Sequence, residues 1–194
     1  MRAVVVAVPP GLIANQRLRF SPALPAKLQA AHALPLGVAD KVFLALDNAD
    51  DLPADTRVFG STTSIETGSY TLRPSGKPII EGYFGGSFAR ACEGSFAAFA
   101  IEQICAALGS GMRKRLKPLA ESAWARDPFS LGAYSYGSAD ARAMRAALAA
   151  PVNEKLFFAG EHCSDLDFST AHGAYRSGVI AADEAIKALQ ARPA

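Results

Sequence analysis

The spacing of apolar and polar positions changes several times along this chain, and each change predicts an element. Arg2 to Val8 is a continuous apolar run rich in valine, the pattern of a strand buried on both faces, and Pro9-Pro10-Gly11 stops it. A short strand is predicted at Arg17 to Phe20, closed by Ser21-Pro22, then a helix from Pro25 through Lys27, Leu28 and Ala31. Asp40 to Asp47 reads as a second core strand, and Asn48 to Pro53 as a polar turn. Ser61 to Leu72 alternates weakly, as a half-exposed strand does. Ser75-Gly76-Lys77 is a hairpin turn, and Pro78 to Gly85 is the partner strand. Phe96, Phe99, Ile101, Ile104 and Leu108 recur at helical spacing over Ser95 to Leu108, which Gly109 ends. Trp124 to Tyr136 is aromatic and irregular. Asp140 to Ala150 is an alanine-rich helix, Leu156 to Ala159 a buried strand, and Gly173 to Leu189 a closing helix.

Composition narrows the class. The 194 residues are 50% hydrophobic and 20% charged, enough for a sizeable core in one domain or two small ones. A formal net charge of +2 with no basic tail gives no case for nucleic acid. The apolar runs are short and broken by Gly, Pro or charge, which argues against a membrane span. Cys92, Cys105 and Cys163 are widely spaced and odd in number. That speaks against a disulfide framework or a metal site and fits a reducing, cytoplasmic location.

The most informative stretch is Leu156-Phe157-Phe158-Ala159-Gly160-Glu161-His162, followed by Ser169-Thr170-Ala171-His172-Gly173-Ala174. It reads as a buried strand, a Gly-Glu turn, a loop and a helix start carrying a small residue. Such a strand end offers a carboxylate to sugar hydroxyls, and the helix N-terminus offers free N–H groups to an electron-rich acceptor. A glycine at the helix start lets a planar ring approach the backbone. Taken alone, Gly160-Glu161 is equally a plain turn with a solvated Glu.

These segments, with Val4-Val5-Val6-Ala7-Val8-Pro9, Phe20-Ser21-Pro22-Ala23-Leu24-Pro25, Leu36-Gly37-Val38-Ala39-Asp40-Lys41-Val42, Trp124-Ala125-Arg126-Asp127-Pro128-Phe129-Ser130 and Gly132-Ala133-Tyr134-Ser135-Tyr136, resemble the C-terminal half of flavin-dependent amine oxidases. That group holds monoamine oxidases, polyamine oxidases and lysine-specific histone demethylases. The resemblance implies a catalytic lysine at Lys41, reaching through a water toward flavin N5 with a desolvated ammonium. It implies an aromatic substrate wall at Tyr134, and cofactor contacts at Val8, Trp124, Gly160, Glu161, Thr170, Ala171, His172, Gly173 and Ala174. Glu161 would meet the ribityl or phosphate region, and residues 171–174 would turn N–H groups to the pyrimidine carbonyl. By local sequence alone Lys41 is an ordinary surface lysine, Trp124 and Tyr134 are core or strand aromatics, and His162 is a loop residue.

Two departures from the family pattern stand out. Monoamine oxidases attach flavin through a cysteine just before the tyrosine matched by Tyr134, and here that residue is Ala133, so the FAD implied is non-covalent. No strand is followed by Gly-x-Gly-x-x-Gly, and Gly109-Ser110-Gly111 reads as a helix end. The expected architecture is therefore α/β to α+β. Residues 11–150 would form a substrate-binding domain, a sheet backed by helices. Residues 1–10 and 151–190 would form a partial, Rossmann-like FAD-binding domain. The expected activity is oxidation of a small amine to an imine with oxygen as acceptor, giving peroxide, beside a separate N-terminal half or in a homo-oligomer. The alternatives are a non-catalytic module that binds a partner or itself, and a related flavin desaturase. Apolar strands without sheet neighbours would favour dimerisation, strand exchange or poor solubility.

Overall fold

A computed structural model of the chain describes residues 3–92, 94–137 and 139–191. In chain order the regular elements are β1 (Val4–Val6), α1 (Pro10–Ala14), α2 (Pro25–His32), β2 (Ala39–Leu46), β3 (Thr56–Phe59), β4 (Ser69–Leu72), β5 (Ile79–Gly85), α3 (Gly86–Cys92), α4 (Phe96–Leu108), β6 (Leu116–Glu121), α5 (Ala141–Ala149), β7 (Leu156–Phe158) and α6 (Ala171–Gln190). Short 3-10 turns lie between several of them. The mixture of helix and sheet agrees with the α/β to α+β expectation. No helix among the described residues is long and apolar enough to cross a membrane.

The chain divides into two compact units, residues 1–37 with 128–194, and residues 38–127. The packing boundaries therefore fall at Gly37 and Asp127, not at residues 10 and 150. Residues 11–37 and 128–150 pack with the chain ends because α2 and α5 cover the same strand pair.

In the first unit β1 and β7 form a parallel pair, Val4 opposite Leu156 and Val6 opposite Phe158. Side chains alternate across the pair. Val6 and Phe158 face Ile13, Ala30, Ala31, Leu34 and Leu148 of the helices on one side, while Phe157 and Ala159 meet Ala181 and Ala185 of α6 on the other. Val5 stays 42% exposed, so β1 is not buried on both faces, and of the expected strand Arg2 lies outside the described residues. Arg17 to Phe20 is not a strand. Gln16 turns to φ 52°, and the N–H groups of Arg17 and Leu18 both donate to the Leu12 carbonyl, closing the end of α1. Pro25 opens α2 as expected.

One buried charge ties this unit together. Lys27, 4% exposed, points its ammonium at the carbonyls of Ala147, Leu148 and Ala150, the unsatisfied C-terminal end of α5, and lies 4.1 Å over the Phe158 ring. Burial pulls its pKa from 10.5 to about 8, so it is still charged at neutral pH.

The second unit is a five-stranded antiparallel sheet, among the described residues, in the order β3-β4-β5-β2-β6. Along β2 the inward positions Val42, Leu44 and Leu46 alternate with outward ones, and with Tyr70, Leu72, Ile80 and Phe84 they pack on Phe96, Ala100 and Ile104 of α4. Phe84 stacks on Phe96 with ring centroids 4.6 Å apart and touches Tyr70, Phe88 and Phe99 edge-on or tilted. Pro118 is tolerated because β6 is an edge strand. Of the predicted Ser61 to Leu72 strand only Ser69–Leu72 forms. The hydroxyls of Ser61 and Ser64 instead accept N–H bonds from Thr63 and Glu66, the local competition that favours turns. The hairpin after it, the Ser95 helix and its Gly109 end appear where the pattern placed them.

The aromatic stack at Phe84 makes a specific demand on stability. Phe84→Ala is expected to cost about 3–5 kcal/mol, from lost contacts plus the cavity left behind. Urea unfolding followed by circular dichroism checks it, and a loss under about 1 kcal/mol would mean that the core closes over the gap.

Candidate functional site

The parallel pair fixes where a ligand can approach the first unit. Val8 and Gly160 both follow the C-terminal ends of paired strands, the side on which open α/β sheets bind ligands. The Ala159 N–H donates to Val6 O at 3.0 Å, and Val8 packs on the adjacent core. Gly160 turns at φ 132°, a region that favours glycine, with the His162 ring against it where a Cβ would stand. Its N–H donates to Ser177 Oγ of α6 at 2.9 Å, so the turn is bolted to the helix.

Glu161 comes next, and its carboxylate is the hub. Oε1 accepts the Ser135 N–H at 2.8 Å, while Oε2 accepts the Ser135 hydroxyl and the Ser169 N–H, each at 2.7 Å. Arg145 supports the hub from behind. Its side chain is 2% exposed, donates to Ser135 Oγ at 2.7 Å, lies 3.9 Å from Glu161 Oε2 and stacks on Phe168 at 4.3 Å. A carboxylate has about four acceptor positions. Three are filled, so Glu161 chiefly ties the loops at 135 and 169 together and keeps room for about one further donor. Tyr134, 41% exposed, is carried on the same loop, where its carbonyl accepts the Gly37 N–H at 2.8 Å.

The loop leads into α6, whose N-cap is Thr170. Thr170 Oγ1 accepts the Gly173 N–H at 3.1 Å, and Thr170 O accepts the Ala174 N–H at 3.1 Å. The expectation that N–H groups of all four residues 171–174 face a ligand is therefore corrected. Those of Gly173 and Ala174 are used by the cap, and those of Ala171 and His172 are left for an outside acceptor at the positive end of a 20-residue helix. Gly173 is required by the loop rather than by a ring, since a Cβ there would stand 1.9 Å from the Asp167 carbonyl oxygen. The His172 side chain is exposed and lies 3.4 Å from Asp167.

Two titratable groups lie under this turn. His162 is 5% exposed, and burial pulls its pKa from 6.5 to about 4, opposed by the Glu161 charge and reinforced by Arg145. It is a neutral core imidazole rather than a solvated loop residue. Burial also pushes the Cys163 thiol up to about 12, so it is not a nucleophile at neutral pH.

The remaining residues lie in the second unit. Lys41 is on the outward face of β2, and its side chain is 47% exposed. Its ammonium pairs with Glu81 Oε1 at 2.6 Å, so the expected desolvated ammonium is instead a half-exposed, ion-paired one. Trp124 is 46% exposed, and its backbone N–H donates to the buried carboxyl group of Asp40 at 3.2 Å. The structure thus gathers Val8, Tyr134, Gly160, Glu161 and residues 170–174 in one unit, and joins Lys41 to Trp124 in the other. Sequence reasoning missed Ser135, Arg145, Ser169, Glu81 and Asp40. Of the two arginines on this alanine-rich helix, Arg142 and Arg145, nothing local distinguishes the buried one. Ser135 and Asp40 sat unremarked inside quoted motifs. Among the described residues no group of three His, Cys, Asp or Glu side chains is placed to hold a metal ion. An open cavity of about 430 Å³ beside the strand pair opens at Ala3, Lys155 and Leu156, the opposite end of the strands from Gly160.

Two measurements test this arrangement. Gly173→Ala is expected to destabilise by roughly 2 kcal/mol or more through the loop clash. Gly178→Ala in the same helix, with nothing within 4 Å of the new methyl, is expected to stabilise by about 0.5–1 kcal/mol. Urea midpoints moving the same way for both would contradict the Gly173 contact. For His162, the unfolded chain takes up a proton below about pH 6.5 that the folded one refuses until about pH 4. Stability present above pH 6.5 is therefore lost as pH falls toward 4, by up to about 3 kcal/mol. Unfolding measured at pH 7 and pH 4.5 should show most of that pH-dependent loss removed in His162→Gln.

Known proteins share this layout. The sequence pattern of the family described as "Flavin containing amine oxidoreductase" matches residues 1–186. Polyamine oxidase 4 of Oryza sativa subsp. japonica is 30% identical over 193 residues, covering 96% of this chain and 39% of that protein. Lysine-specific histone demethylase 1 homolog 2 of Arabidopsis thaliana is 28% identical, covering 91% of this chain and 26% of that protein. The chain thus spans about two fifths of the first and about a quarter of the second. Cyclohexylamine oxidase from Brevibacterium oxydans IH-35A has the same fold over 97% of this chain and 43% of its own, with a TM-score of 0.69 at 24% identity. A putrescine oxidase variant redesigned in its cofactor binding superposes over 95% of this chain with a TM-score of 0.75 at 19% identity. Matched by the family's pattern from residue 1 to residue 186, the chain belongs to the flavin containing amine oxidoreductase family.

Proposed function

We propose that this chain forms the substrate-facing and C-terminal flavin-facing part of an FAD-dependent oxidase acting on a small amine, and that it works with the part of the relatives it does not span. The observation that carries this reading is the start of α6. Two N–H groups, on Ala171 and His172, have no hydrogen-bond partner among the described residues and stand at a helix N-terminus directly beyond a Gly-Glu turn held by Ser135, Ser169 and Ser177. That donor set suits the electron-rich carbonyl edge of a flavin. Glu161 retains capacity for about one hydroxyl of the ribityl chain. Ala133 before Tyr134 and a Cys163 thiol held protonated both favour a non-covalent cofactor.

When bound, FAD would supply the two-electron acceptor for the hydride equivalent leaving the carbon beside the amine, and pass the electrons to oxygen to give imine and peroxide. The chain's own residues would orient and shield. Tyr134 offers an aromatic face to the amine, an arrangement that attracts a cation and excludes water. Lys41 offers a positive charge whose position is set by Glu81. Trp124 offers an indole edge for the ring system to pack against. The need for a partner is supported by exposed apolar side chains on α6 (Tyr175, Val179, Ile180, Ile186) and on β1 (Val5), a surface that fits either the further part of the enzyme or a second copy.

The test is to purify the chain alone and together with the N-terminal portion of a polyamine oxidase relative. Flavin absorbance through gel filtration and peroxide release with putrescine, spermidine and cyclohexylamine are then measured. The expected outcome is FAD retention and amine-dependent peroxide in the mixture, with Thr170→Val weakening FAD retention severalfold through loss of the cap. A colourless, inactive mixture that still associates would replace this reading with that of a non-catalytic binding module.

A further inference from the structure

The inward face of β2 reads Asp40, Val42, Leu44, Leu46, and the first of these, fully buried, carries a carboxyl group. Taking a carboxylate out of water is costly unless donors meet it, yet only one of its two oxygens is met. Oδ1 accepts the Ser122 hydroxyl at 2.6 Å and the Trp124 N–H at 3.2 Å, while Oδ2 has no hydrogen-bond partner among the described residues. Ser122 in turn closes a ring on the neighbouring residue of β2. Its Oγ accepts the Lys41 N–H at 2.8 Å, and its own N–H donates to the Lys41 carbonyl at 2.9 Å. The β6 ladder stops at Glu121 opposite Val42. Beyond that point the chain is held to β2 by the Asp40 and Ser122 side chains together with the Lys41 backbone.

We propose that Asp40 is a positioning residue that locks the backbone of Lys41 and the segment carrying Trp124 into one rigid piece. This rests on the reading above, in which Lys41 and Trp124 face the flavin. Both side chains are about half exposed, so their placement depends on the backbone beneath them. Every bond Asp40 makes here uses an acceptor oxygen, which an amide also has. Asparagine therefore preserves the clamp and replaces the unpartnered oxygen with an amide nitrogen, whereas alanine deletes it.

Trp124 is the only tryptophan in the chain, so its emission reports the clamp directly and without cofactor. The full chain and its Asp40→Asn, Asp40→Ala and Ser122→Ala variants are compared by acrylamide quenching and fluorescence anisotropy, with circular dichroism as the control for folding. Amide exchange of Lys41 and Trp124 is followed by NMR. Asp40→Asn is expected to match the parent. Asp40→Ala is expected to raise the quenching constant at least twofold and to speed Trp124 amide exchange at least tenfold. Ser122→Ala is expected to speed Lys41 amide exchange by a similar factor. A folded Asp40→Ala with parent-like quenching, or an Asp40→Asn that behaves like the alanine variant, would overturn the proposal. If Asp40→Ala does not fold, Ser122→Ala decides, and unchanged Lys41 exchange overturns it. Adding FAD separates this proposal from the reading it rests on. Absence of any FAD effect on the parent emission in the presence of the N-terminal portion of a polyamine oxidase relative counts against flavin binding, while the clamp is still read from the cofactor-free data of the chain alone.

Discussion

A carboxylate removed from water must be met by hydrogen-bond donors, and each compact unit has loops arranged to meet that demand. In the first, the donors to Glu161 come from Ser135 and Ser169, on segments with no regular structure of their own. In the second, the donors to Asp40 come from Ser122 and Trp124, just past the end of β6. A third carboxylate, Glu121, accepts the first N–H groups of α4 from Phe96 and Ala97, serving as a cap supplied by another element. These side-chain bonds act beside backbone bonds such as Gly37 N–H to the Tyr134 carbonyl and Tyr136 N–H to the Pro35 carbonyl.

This explains how a family with a common frame can present a chemical edge on irregular backbone. Sheets and helices bury apolar faces and so fix the ends of strands and helices. What lies between those ends is fixed by polar bonds, which are directional and tolerate little displacement. At Gly160 the two kinds of constraint meet. The strand pair delivers the residue, Ser177 fastens it to α6, and the His162 ring fills the space a side chain would need. Burial holds the His162 imidazole neutral beneath this turn at neutral pH.

Much of the frame was legible beforehand. The apolar run from Asp40 to Asp47 announced β2, Pro25 in a first turn announced α2, and the Ser75-Gly76-Lys77 turn announced the β4–β5 hairpin. The motif order carried the family. What failed has physical causes. The Ser- and Thr-rich stretch before β4 made local side-chain bonds instead of a ladder, and Arg17 to Phe20 was captured by the Leu12 carbonyl. β6 was overlooked because Lys117 and Pro118 break the apolar pattern of an edge strand that needs only one neighbour.

Local sequence by itself determined which segments are apolar, where glycine and proline punctuate them, and that Gly160, Glu161 and Thr170 belong to one strand–loop–helix unit, because these depend on neighbours in the chain. Only the tertiary structure decided that Glu161 turns inward to Ser135 and Ser169, that Arg145 is buried behind it, that Lys27 caps a helix about 120 residues away, and that Glu81 holds Lys41. Each of these is a pairing of polar groups distant in sequence. A charged residue has the same local signature whether it faces water or a partner, so only the folded chain tells the two apart.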